Sequence, residues 1–247
     1  MSENNNLDIV AQTYECRNSN FLAIIKQLNI NVMEKYMQEK SEGICLELGC
    51  GEGDSTKLLS KFFKSVVVCE GSEIFLNRAK NNLANLNNIT YLYSLFEDIQ
   101  DNSKYDFIAA NYIFEHIENI EKVLDVCYSA LKSGGYLFIT VPNAKALSRS
   151  LAVEMGLLED EYLLTENDLK HGHRRVFDMD SLLKEVENTK FKVIEKGGLY
   201  VKPFADFQLK EMVEKNILNL SHFEGLQKLA KKNPEISGSI YICLQKV

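Results

Sequence analysis

The chain has 247 residues, a formal net charge of −7 and an apolar fraction of 45%, enough length to bury a core within a single domain. Its acidic balance, with a pI near 5.3, argues against a general binder of nucleic acid or anionic membrane, because such partners are held through a basic face. No apolar run approaches the roughly 20 residues that cross a bilayer, the polar Met1–Asn6 start does not read as a signal peptide, and the six cysteines form no Cys-x-x-Cys pair, as expected of reduced thiols in a cytoplasmic protein.

Residues 1–43 open with an asparagine-rich tip that is expected to be loose. An amphipathic helix follows from Phe21 through Met37. Ile44, Leu46 and Leu48 then lie in a short apolar run typical of a strand covered on both faces, and the chain turns through Gly49, Gly51 and Gly53 before Asp54, Ser55 or Thr56 can cap a helix. Glycines let the main chain turn sharply and let a ligand approach it closely. A turn at a strand C-terminus is where open α/β sheets bind ligands. A dinucleotide site wants a third glycine three residues after the second, but that position is Asp54. Glu47, just before the turn, would repel a pyrophosphate and favour a ligand carrying an ammonium and a sulfonium, which points to S-adenosylmethionine.

The helix continues over Lys57–Lys64, and a second strand, Val66–Glu70, ends in an acid. Glu70 lies 21 residues after Gly49, the spacing at which an acidic residue accepts hydrogen bonds from a ribose diol, and Gly71 follows it. That acid suits NAD as well as an S-adenosyl ligand. Ile74–Leu86 has helical periodicity, Ile89–Tyr93 is a third strand leading to the Ser94–Asp98 turn, and Asp106–Asn111 is a fourth. Leu131–Gly135 reads as a helix exit and tight turn feeding the strand Tyr136–Val141. Ala144–Arg175 is longer than a connection requires and ends in His171-Gly172-His173-Arg174-Arg175-Val176-Phe177. Such segments beside strand ends are usually lids or specificity elements. After a helix over Asp178–Asn188 and a strand over Phe191–Glu195 comes a second insertion, Lys202–Asn233, apolar along one side, and then the closing strand Ser239–Leu244.

Four stretches carry a family resemblance: Glu47-Leu48-Gly49-Cys50-Gly51-Glu52-Gly53, Asn111-Tyr112-Ile113-Phe114-Glu115-His116-Ile117, Val141-Pro142-Asn143 and the histidine run ending at Phe177. Together they resemble the class I S-adenosylmethionine-dependent methyltransferases, and within them the small-molecule branch that includes the ubiquinone-biosynthesis enzymes. The resemblance implies an α/β fold: one domain over residues 1–247 with a seven-stranded, mostly parallel Rossmann-like sheet, helices on both faces and helical lid insertions. Residues 1–43 would form an N-terminal helix or lid, and 144–175 and 202–233 the acceptor-side insertions.

It also implies S-adenosylmethionine as cofactor, held by Glu47, Gly49, Cys50, Gly51, Glu70, Gly71, Phe96, Glu97, Asp98 and Asn111. Leu95 departs from the family's usual aspartate at the adenine edge. Asn111 is not followed by two prolines, which weighs against adenine-type N-methylation. The implied acceptor is a small soluble molecule methylated on a hydroxyl, touched by Tyr14, Tyr112, Arg174 and Arg175, with no nucleic acid or membrane as partner and a monomer or homodimer as the assembly. A hydroxyl needs a base. His173 is the candidate, with His171 or His116 orienting the acceptor and Arg174 or Arg175 holding an anionic group. His222 reads as surface or packing. His171 and His173 lack a recognisable carboxylate or cysteine set, so no metal is expected. Two other readings are a nicotinamide-dependent dehydrogenase and a non-catalytic module that binds the cofactor and acts through a partner.

Overall fold

The computed structural model describes residues 3–13 and 19–247. Its sheet contains β1 (Ile44–Leu48), β2 (Ser65–Glu70), β3 (Ile89–Tyr93), β4 (Tyr105–Asn111), β5 (Leu131–Pro142), β6 (Phe191–Gly198) and β7 (Ser239–Lys246). The order is β3-β2-β1-β4-β5-β7-β6, and β7 runs antiparallel to both of its neighbours while β1 to β5 are parallel. The expected seven-stranded, mostly parallel α/β sheet is therefore present.

The period of two along the strands assigns each side chain to a face. Leu46, Leu48, Ile108, Ala110, Leu137 and Ile139 pack on one side against α5 (Ile120–Ala130) and α8 (Met179–Val186). Cys45, Phe107, Ala109 and Phe138 face the other way, onto α2 (Asn20–Glu39) and α3 (Asp54–Leu59). Because both faces are covered, β1 and β4 read as nearly continuous apolar runs.

Three local expectations change. The polar tip is helical as α1 (Glu3–Thr13), because it lies on α4 (Glu73–Asn82). Asp8 Oδ1 accepts from Ser72 Oγ at 2.6 Å and from the Ile74 amide at 3.3 Å, while Arg78 donates to the Ala11 carbonyl. The helix after the glycine turn, α3, stops at Leu59 short of Lys64, where the Asn88 amide takes up the carbonyls of Ser60 and Phe63. Leu131–Gly135 opens β5, with Leu131 registered on Tyr105 before a register shift.

The first insertion carries α6 (Leu147–Glu154) and α7 (Glu166–Lys170), the second α9 (Asp206–Glu214) and α10 (Leu220–Ala230). Leu209, Val213 and Phe223 bury against Phe21, Ile25 and Leu28 of α2. The apolar stripe of the second insertion is thus partly core, although Phe204, Phe207, Ile217 and Leu220 remain exposed. Among the described residues no helix is long and apolar enough to cross a membrane.

Candidate active site

The turn after β1 holds Gly49, Gly51 and Gly53 at φ of +70°, +50° and +88°, a left-handed region that side chains rarely enter. Gly49 also needs the space: a Cβ there would stand 2.3 Å from Ile113 Cδ1. At Gly51 a Cβ would meet nothing within 4 Å, so conformation alone selects that glycine. The loop is tied down by main-chain bonds from Gly49 to the Cys69 carbonyl and from Gly53 to the Cys50 carbonyl, each 2.8 Å. Glu70 fastens it from the side, accepting from the Cys50 amide at 3.1 Å and the Ser72 amide at 2.8 Å. Burial raises the Glu70 carboxyl above its ordinary range, opposed by those amides. The Cys50 thiol also points to Oε2 at 3.7 Å, and since a carboxylate has about four acceptor sites, capacity remains for a ligand's hydroxyl.

These groups edge a cleft of about 1170 Å³ lying over the C-terminal ends of β1, β2 and β4. Gly49, Cys50, Gly51, Glu70 and Gly71 line it, as do Phe96 and Glu97 of the turn after β3 and Asn111 at the end of β4. A single small-molecule site commonly takes about 300–1,000 Å³, so this space admits two reactants. Asn111 Oδ1 accepts from Asn29 Nδ2 at 2.9 Å, and Asn29 Oδ1 in turn accepts from Thr140 Oγ1 at 3.0 Å. Asn111 Nδ2 is buried without a partner.

The chain leaves β4 through Tyr112, whose φ of +58° is uncommon for a bulky residue. Its hydroxyl lies 3.1 Å from Ser239 Oγ. Next come Glu115 and His116. Glu115 is 1% exposed and its Oε2 lacks a partner. Burial pushes that carboxyl up to about 7, with neighbouring His173 opposing. Burial and then neighbouring His173 push His116 down to about 4. His116 Nδ1 lies 3.2 Å from the Gly172 carbonyl, which can only accept, so the ring's proton sits on Nδ1 and Nε2 keeps its lone pair.

α7 brings the second histidine. Its N-terminus is closed by a capping box between Thr165 and Asp168, and the Asp168 carbonyl accepts from the amides of His171 and His173 just beyond it. This folds His173 back against His116, ring centroids 4.8 Å apart and nearly perpendicular. The ligand atoms of Glu115, His116 and His173 all lie within 4.8 Å of one another. His173 Nδ1 is 3.2 Å from Asp168 Oδ1, with the ring turned off the line of a hydrogen bond.

A family model described as a methyltransferase domain matches residues 23–196, well over half of the chain. The chain belongs to that methyltransferase family. It is 34% identical over 114 residues to the mitochondrial ubiquinone biosynthesis O-methyltransferase of Rattus norvegicus, covering 44% of this chain and 33% of the relative. Over 171 residues it is 31% identical to a malonyl-[acyl-carrier protein] O-methyltransferase of Calditerrivibrio nitroreducens, covering 66% and 65%. The chain therefore spans about a third of the first relative and just under two thirds of the second. The N-methyltransferase NodS of Bradyrhizobium japonicum, solved with S-adenosyl-L-homocysteine, superposes with a TM-score of 0.60 at 11% identity, covering 98% of each chain. The fold is that of the class I S-adenosylmethionine-dependent methyltransferases.

Within this methyltransferase fold the expected residues fall into three groups. Gly49, Cys50, Gly51, Glu70, Gly71, Phe96, Glu97, Asn111, Tyr112, His116, His171, His173 and Arg174 share the cleft. Glu47, Asp98 and Arg175 do not line it. Glu47 is 2% exposed behind the glycine loop, accepting from Thr56 Oγ1 at 2.5 Å. Arg175 reaches the Glu118 carbonyl instead. Tyr14 lies outside the described residues. His222 is exposed and caps α10, its Nδ1 accepting from the Asn219 amide at 3.3 Å, away from the cleft. His171 Nδ1 is engaged by the Asn167 carbonyl at 2.6 Å.

Sequence reasoning passed over Glu115, although it stands in the quoted Phe114-Glu115-His116 run, and over Asp168 and Asn29. A glutamate beside a histidine at a strand exit was the available signal for the first. Nothing in the local pattern marks the other two.

Proposed function

We propose that the protein transfers a methyl group from S-adenosylmethionine to a hydroxyl of a small soluble acceptor. The observation that carries the reading is the placing of the His116 and His173 rings in the same cleft as the glycine loop and Glu70. The glycine turn, left open at Gly51, and a fixed carboxylate with spare acceptor capacity fit an S-adenosyl ligand. Gly49, Cys50 and Gly51 would carry its amino-acid end, Glu70 its ribose and the Phe96–Glu97 turn its base, while Asn111 offers an unpaired amide to a ligand oxygen.

When bound, S-adenosylmethionine supplies an electrophilic methyl on a sulfonium. His173 takes the proton of the acceptor hydroxyl as attack proceeds, since a hydroxyl is a poor nucleophile until that proton leaves. His116, neutral and with its Nε2 lone pair free, accepts from a second donor group of the acceptor and so orients it. Arg174, at the cleft edge and 3.3 Å from Glu118, holds an anionic group of the acceptor. Shared positioning in one cleft supplies much of the remaining rate. The relatives named as O-methyltransferases support oxygen as the accepting atom.

A second reading is favoured by one observation, the clustering of Glu115, His116 and His173. One carboxylate and two imidazoles suit a divalent transition ion or zinc, which would bind the acceptor oxygen directly. The test for both is a product screen with S-adenosylmethionine against sugar, nucleotide-sugar, phenol and phosphorylated metabolite pools, run with and without a chelator. Methylated metabolite formed equally in both arms supports the histidine base. Loss of turnover with chelator, restored by a metal, supports the second reading. Turnover only on bulk RNA, DNA or protein contradicts the proposal.

A further inference from the structure

Arg149 and Asp168 lie in the first insertion, away from the glycine loop, and neither lines the cleft. Asp168 is 8% exposed, and each of its oxygens has a separate task. Oδ2 accepts from the Thr165 amide at 2.9 Å, from Thr165 Oγ1 at 2.7 Å and from Arg149 Nη1 at 3.4 Å. Oδ1 faces His173 Nδ1 at 3.2 Å. Arg149 is itself held, donating through Nε to the Glu161 carbonyl at 2.8 Å and through Nη2 to the Leu163 carbonyl. A carboxylate fixed on one side by three donors has one direction left, and that direction is the imidazole.

We propose that Asp168 is the positioning residue for His173: its carboxylate keeps the ring proton on Nδ1 and leaves Nε2 as the nitrogen that receives a proton, while Arg149 holds Asp168 in place. This rests on the reading of His173 as the base. Nδ1 is buried with Oδ1 3.2 Å away, the ring turned off the line of a hydrogen bond. A carboxylate accepts only, so an N–H must face it, and the other ring nitrogen then carries the lone pair. The remaining polar groups around His173 are Glu115 and His116 after β4, His171 two residues earlier with ring centroids 6.4 Å away, and Arg174 beside it. Glu115 is the competing partner, because its Oε2 is unpaired and close.

The experiment is long-range ¹H–¹⁵N correlation on the full chain labelled in histidine, with S-adenosyl-L-homocysteine as the binding probe. Asp168→Asn keeps an oxygen for Thr165 while turning an amide donor toward the ring. His173 should then switch from the Nδ1–H to the Nε2–H tautomer, with homocysteine-product affinity unchanged within about twofold. Glu115→Gln should leave the tautomer as it is, and Arg149→Gln should give a mixture of both forms. An Asp168→Asn protein that binds the probe and retains Nδ1–H overturns the proposal, as does a switch caused by Glu115→Gln instead. Asp168→Glu, which can restore an acceptor, should return the wild-type signature, and its failure to do so while the fold is intact also counts against the assignment. The spectra do not depend on turnover. A tautomer switch together with a fully active His173→Ala enzyme would keep the positioning role and remove the base reading; the reverse pattern would do the opposite.

Discussion

The two halves of the cleft are built from different material. On the β1–β2 side, the ligand-facing surface is main chain, shaped by Gly49 and Gly51 and tied to Glu70 through backbone amides. On the β4 side it is side chain, with Glu115 and His116 from one segment meeting His173 from another more than 50 positions later and Asp168 behind it. A main-chain site leaves its mark locally, as glycines at fixed spacing. A side-chain site assembled across the fold leaves only residue types. The first surface suits a ligand shared by many proteins, and the second is free to change with the acceptor.

The sharpest way to break this division is to remove His173. General-base assistance is worth about 10²- to 10⁴-fold, so His173→Ala is expected to lose that much kcat while binding S-adenosyl-L-homocysteine as before. Stopped assays alongside calorimetry check both halves at once. Equal losses of turnover and affinity would mean that the two surfaces are not separable.

On the other side, Glu70→Ala removes a charged acceptor that also fastens the loop. Hydrogen bonds to charged groups are worth about 1.5–3 kcal/mol, so product affinity should fall about 10- to 100-fold, with the protein still folded by circular dichroism. Unchanged affinity would take Glu70 out of the site.

The glycine loop sharpens the comparison further. Gly49→Ala must accept both a left-handed backbone and a 2.3 Å clash with Ile113, whereas Gly51→Ala accepts only the backbone. Backbone strain of this kind costs about 1–3 kcal/mol, and thermal melts should rank Gly49→Ala as the less stable of the two. The opposite ranking would show that the Ile113 contact yields at no cost.

Much of the fold was legible before the structure. β1, β3 and the start of β7 lie where the apolar runs place them, and the seven-stranded, mostly parallel sheet follows from the resemblance. The tip was not legible, because Asn-rich Glu3–Thr13 has no periodic apolar face strong enough to announce a helix. It is held by Asp8 and by a carbonyl to which Arg78 donates, both long-range bonds. The glycine turn after β1 was readable from spacing, and so was the placing of Glu70 beside it. Glu47 was misplaced for a physical reason: period two puts a strand's last alternate residue on one face, and Thr56 at the helix start draws this one inward. Asp168 was invisible because its role exists only after α7 folds back on the strand exit.

Glu47 bears on stability rather than on the ligand. Burial pushes its carboxyl up to about 8, Thr56 opposes this, Glu70 adds to it and Lys26 relieves it. The folded state thus binds a proton that the unfolded chain releases near pH 4.5, so stability falls as pH rises from about 4.5 to about 8. Glu47→Gln should flatten that slope, and melting temperatures across the window check it. A mutant with the wild-type slope would place the titration elsewhere.

The claim on which the rest depends is that the glycine-loop half of the cleft holds an S-adenosyl ligand and not a dinucleotide. Calorimetric titration and thermal melting of the wild-type chain with S-adenosyl-L-homocysteine and, separately, with NADH test it most directly. The account predicts one bound S-adenosyl-L-homocysteine per chain and a stabilisation of about 2.7 kcal/mol at a hundredfold excess over its dissociation constant, with no response to NADH. A shift with NADH and none with S-adenosyl-L-homocysteine would contradict it.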